Sequence, residues 1–72
     1  MSKRKQTHLI HENDFIAEVE VYLIESDDDW APYLSLEDAR KLDQVRKALR
    51  SGDLGAALRL GRVYRLTPVT KP

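Results

Sequence analysis

The sequence predicts an α+β fold: a small antiparallel sheet with an αα-hairpin packed on one face, in the order ββ(β)ααβ. Three observations carry that reading. Residues 15–24 alternate between apolar and other side chains with period two. Ala39, Leu42, Val45 and Leu49 recur at three- and four-residue spacing between a capping serine and a glycine. A second cap, Asp53, follows that glycine at once.

Residues 1–6 are short, polar and basic, with nothing to bury, and are expected to be a disordered start. Thr7 to His11, with Leu9 and Ile10, can form a short strand. Glu12, Asn13 and Asp14 supply turn chemistry, because Asn tolerates left-handed backbone and Asp caps its own turn. On the long strand that follows, Phe15, Ala17, Val19, Val21 and Leu23 share one face, so the two runs predict a hairpin. Four acids among residues 25–29 break the pattern. Pro32 cannot donate to a ladder, so any strand at Tyr33 and Leu34 belongs at an edge.

Ser35 is placed as a helix N-cap, with Glu37 and Asp38 in the first turn, where the helix dipole favours acids. The helix stripe runs for about four turns. Lys47 and Arg50 occupy its last turn, and Gly52 suits the left-handed residue that ends it. Asp53 then caps a shorter helix with the stripe Leu54, Ala57, Leu58 and Gly61. Val63 to Thr67 form a final strand, ended by Pro68. One domain over 7–69 is expected, with a disordered tail over 70–72.

The chain has 72 residues, so it buries only about 60% of its unfolded surface. It has no cysteine, which excludes disulfides and thiolate metal ligands. No apolar run approaches the roughly 20 residues of a membrane span. The basic N-terminus is not followed by an apolar export segment, so a cytoplasmic location is expected.

Twelve bases balance twelve acids, but they are segregated. Residues 1–5 hold three bases and no acid; residues 6–38 hold ten acids and no Lys or Arg; residues 39–72 hold nine bases and two acids. Such a chain either pairs its acidic and basic segments internally or presents one of them to a partner.

Candidate chemistry is sparse. His8 and His11 are three apart, which on a strand directs them to opposite faces, and no metal site is expected from them. Asp27, Asp28 and Asp29 are consecutive and lack the alternate spacing and glycine of a calcium loop. Ser2, Ser26, Ser35 and Ser51 sit in a tail, a loop, a cap and a helix end, without a neighbouring base. Gly52, Gly55 and Gly61 fit neither phosphate-cradling pattern. No enzyme activity, cofactor or small-molecule substrate is expected.

Two binding readings compete. The second face of the long strand carries Ile16, Glu18, Glu20, Tyr22 and Ile24, and is not uniformly polar. With Asp27, Asp28, Asp29 and Trp30 it forms a candidate partner-binding set for a homodimer or another protein, since interfaces enrich Trp and Tyr. The opposing possibility is that these side chains pack under the loop and tail. The other reading is a nucleic-acid regulator using Arg46, Lys47, Arg50, Arg59 and Arg62 on the phosphate backbone. The second helix begins Asp53-Leu54-Gly55-Ala56-Ala57, an acid and almost no hydrogen-bonding reach, which argues against base readout.

The run Trp30-Ala31-Pro32-Tyr33-Leu34-Ser35-Leu36-Glu37-Asp38-Ala39, with Gly52-Asp53-Leu54, Ala56-Ala57 and Val63-Tyr64-Arg65-Leu66-Thr67-Pro68-Val69, resembles a group of small bacterial proteins without an assigned activity. The likeness covers most of residues 8–69 and carries no site residues. The group is associated with toxin–antitoxin-like gene settings, which implies an antitoxin-like protein. Its acidic segment 12–29 would then cover a basic partner such as an RNA-binding nuclease. The strand-strand-strand-helix start is also similar to HicB-type antitoxins, although the second helix and last strand depart from that pattern.

Overall fold

The computed structural model describes residues 2–25 and 32–70. Strands β1 (Ser2–Glu12) and β2 (Phe15–Glu25) form a long hairpin, followed by β3 (Tyr33–Leu34), α1 (Leu36–Ser51), α2 (Leu54–Leu60) and β4 (Arg62–Arg65). All pairings are antiparallel. β2 is flanked by β1 on one side, while β3 and β4 share its other side. The α+β class is therefore the one the sequence predicts.

Glu12 pairs with Phe15 across a two-residue turn of Asn13 and Asp14. Asn13 takes φ 55, the positive value at the first turn position that matches the twist of the flanking strands. The hairpin is longer than the sequence suggests. Residues 2–6, expected to be disordered, are the start of β1 and pair with residues 21–25. Their polarity is no obstacle, because all five side chains are exposed. Two ion pairs support it, Arg4 to Glu25 at 3.2 Å and Lys5 to Glu20 at 3.3 Å. The expected tail over 70–72 falls outside the described residues except for Thr70.

α1 is delimited by its caps. The Ser35 hydroxyl accepts from Asp38 N–H at 3.1 Å. Gly52 closes the helix at φ 78, donating to the carbonyls of Ala48 and Leu49. Asp53 accepts from Ala56 N–H at 3.1 Å and starts α2. Each cap stabilises its helix by about 1 kcal/mol.

The core lies between the hairpin and the helices. Ile10, Ala17, Val19 and Val21 of the hairpin meet Leu42, Val45, Ala48 and Leu49 of α1 and Ala57 of α2. Two stripe positions differ from expectation. Ala39 is exposed, because α1 begins over the end of the core. Leu58 points to solvent, and Leu60 packs against the core in its place. Gly61 then passes so close to β2 that a Cβ would strike the Glu18 carbonyl and approach the Val19 side chain to 3.1 Å. That contact sets where β4 joins the sheet.

Candidate interaction surface

Both helices pack on one face of the sheet, and among the described residues no element covers the other, the open face. Cross-strand partners project to the same side, and the registers therefore give the open face directly. It carries Lys3, Lys5, Thr7, Leu9 and His11 from β1; Ile16, Glu18, Glu20, Tyr22 and Ile24 from β2; Tyr33 from β3; and Arg62 and Tyr64 from β4. All five β2 residues anticipated for partner binding lie on this face. Asp27, Asp28, Asp29 and Trp30 lie outside the described residues.

The face has two apolar ends and a charged middle. At the turn end Ile16 lies between His11 and Tyr64, and Leu9 is diagonal to it. At the far end Ile24 lies between Lys3 and Tyr33, with Tyr22 next along. Leu9, Tyr33, Tyr22 and Tyr64 remain 58%, 51%, 46% and 44% exposed. Tyr33 and Tyr64, from the short strands, belong to the same face as Tyr22. Sequence alone could not place them there, because it does not say that β3 and β4 flank one strand. Between the ends, Lys5 pairs with Glu20, and Glu18 sits opposite Arg62.

A groove of 490 Å³ opens beside this middle band, lined by Thr7, Glu18, Glu20, Lys41, Arg59 and Arg62 among others. It adjoins residues 19–22 of β2, which lie between the segments paired to β4 and β3. There α1 supplies what a strand would. The Lys41 ammonium donates to the Glu20 carbonyl at 2.9 Å, and the Asp38 carboxylate accepts from Tyr22 N–H at 2.8 Å. This edge function of Asp38 and Lys41 has no sequence signal, since both read as ordinary solvated helix residues.

Some of the charge is paired within the fold. Besides the Arg4 and Lys5 pairs, Arg50 donates to Glu12 at 2.6 Å and Lys47 lies 3.1 Å from Asp43. Three of these four pairs join the acidic segment to a basic one. Of the nucleic-acid candidates, Arg50 and Lys47 are thus engaged, Arg46 is half-buried on α1, and Arg59 and Arg62 border the groove.

His8 belongs to the helix-covered face, opposite Val19, and His11 to the open face, its Nε2 3.0 Å from the Asn13 carbonyl. Among the described residues no group of three or more His, Asp or Glu could hold a metal ion. No described helix is long and apolar enough to cross a membrane. No family model matches the chain, and comparison with curated proteins and with solved structures returns no match.

Proposed function

We propose that this chain is a non-enzymatic protein–protein interaction domain whose open sheet face receives another protein. The carrying observation is that Tyr22, Tyr33, Tyr64 and Leu9, each about half exposed, share one face with Ile16 and Ile24 while both helices occupy the other. Tyr is favoured at interface centres because its ring buries area at low entropic cost while its hydroxyl keeps a polar partner. The fitting partner presents apolar or aromatic groups toward the two ends of the face and polar groups toward the Lys5–Glu20 and Glu18–Arg62 band. The antitoxin-like form of this reading adds a basic nuclease as that partner. It is supported by Asp14 and Glu18, which make no ion pair among the described residues.

The test is purification from the native host, identification of any stoichiometric protein, and reconstitution from the two purified components. Changing Tyr22 and Tyr33 to Ser together is expected to weaken that complex at least tenfold while leaving the circular dichroism unchanged. An unchanged affinity would remove the open face as the binding surface. Titration with generic DNA and RNA at low salt addresses the other reading. Binding that falls steeply with salt, and is lost when Arg59 and Arg62 become Ala, would favour nucleic acid instead.

A further inference from the structure

Among the described residues, nothing pairs with the outer edge of β1. In a two-residue hairpin the residues flanking the turn exchange both backbone hydrogen bonds, so Glu12 faces β2 with its N–H and C=O. Alternation then directs the even residues of β1 toward β2 and the odd ones outward. Lys3, Lys5, Thr7, Leu9 and His11 therefore present backbone donors and acceptors to the edge, with no hydrogen-bond partner among the described residues. An exposed edge of 11 residues is a template for pairing with another strand.

The sequence of β1 selects the strand that fits. Its cations, Lys3, Arg4 and Lys5, are at one end, and Glu12 is at the other, next to Asp14 in the turn. Parallel pairing of two copies would set like cations opposite one another, which is destabilising. Antiparallel pairing moves the two basic ends to opposite ends of the paired strands, so the like charges no longer meet. Because outward residues must meet outward residues, a register using the full strand is centred on Thr7 against Thr7, with Lys5 opposite Leu9 and Lys3 opposite His11. It makes roughly ten inter-chain backbone hydrogen bonds.

We infer that β1 pairs antiparallel with β1 of a second copy of this chain, about a twofold axis at Thr7. The side-chain rows of the open face then continue across the axis. Tyr64, Ile16 and His11 of one copy run into Lys3, Ile24 and Tyr33 of the other, joining the turn-end apolar cluster of each to the far-end cluster of its neighbour. In the next row Arg62, Glu18 and Leu9 run into Lys5 and Tyr22. The Lys5 stem then lies beside Leu9, while its ammonium keeps the Glu20 of its own chain. The product is one continuous sheet with both helix pairs on the same side. It does not depend on the heterologous partner proposed above, since it requires only this chain.

The test uses the full chain, whose lack of cysteine makes single-cysteine variants unambiguous. At the axis the two Thr7 Cα atoms would be about 5.5 Å apart, inside the disulfide range of about 4.4–6.8 Å. Two Lys3 Cα atoms would be roughly 27 Å apart, eight residues along the strands. Under diamide, Thr7→Cys is expected to form covalent dimer at least tenfold faster than Lys3→Cys. Sedimentation of the unmodified chain is expected to show a concentration-dependent dimer. Thr7→Pro removes one outward N–H and no bond to β2, so it should weaken the dimer at least tenfold. If Thr7→Pro does not fold, the cysteine pair decides alone. A chain monomeric at all concentrations, or equal cross-linking at both positions, would overturn the assignment while leaving the open-face proposal standing.

Discussion

On the side of β2 away from β1, β4 pairs with residues 15–18, β3 pairs with residues 23 and 24, and Asp38 and Lys41 take backbone groups between them. Along the β1 edge, from Ser2 to Glu12, the outward backbone has no hydrogen-bond partner among the described residues. The same division holds for the faces, one filled by α1 and α2 and the other uncovered by any described element. Among the described residues, the two helices, of 16 and 7 residues, cover one side of the sheet only. The helices fill that face, β3, β4 and α1 occupy the far side of β2, and the uncovered face and the β1 edge are where association can act.

Proline placement in β1 gives the largest expected contrast. His8→Pro removes an N–H bonded to β2, and its ring disrupts the ladder beside Val19. We expect a loss of about 3 kcal/mol, seen as a fall in the denaturant midpoint. Thr7→Pro, one residue away, should cost the monomer less than about 1 kcal/mol, because an edge strand tolerates proline where the N–H faces solvent. Equal losses would mean that the two sides of β1 are not different.

Gly61→Ala attacks the occupied side of β2. The added methyl must displace the α2–β4 junction from the Glu18 carbonyl, at an expected cost of about 1–3 kcal/mol. For a domain of this size that lowers the thermal midpoint by roughly 4–8 °C per kcal/mol. Asp38→Ala leaves the Tyr22 N–H to water and is expected to cost about 1 kcal/mol. Lys41→Met removes an exposed bond to the Glu20 carbonyl and should cost only about 0.5 kcal/mol. A neutral Asp38→Ala variant would show that α1 covers the gap in β2 without stabilising it.

What was legible in the sequence follows the range of the forces involved. The β2 alternation, the Ser35 and Asp53 caps, and Gly52 at positive φ are local, and each stands where the residues predict. The extension of β1 to Ser2 was not legible. A strand with no packed helix over that end has no hydrophobic period, and pairing with residues 21–25 alone determines it. Leu58 and Leu60 exchange roles because a seven-residue helix has too few turns to fix its buried stripe from sequence. On the candidate surface, Ile16, Tyr22 and Ile24 could be assigned to one face by period two. Tyr33, Tyr64 and Leu9 join them only through strand order and register, which are tertiary properties.

The most direct measurement is residue-resolved amide hydrogen exchange over a range of protein concentrations. At low concentration the even amides of β1 should be protected and those of Lys3, Lys5, Thr7, Leu9 and His11 should exchange freely, while the Tyr22 amide on the far side of β2 is already protected by Asp38. Raising the concentration should protect the five odd amides together and leave Tyr22 unchanged. Odd amides that exchange equally fast at every concentration, or that are already protected at the lowest, would contradict the account of an occupied far side of β2 and a β1 edge completed by a second chain.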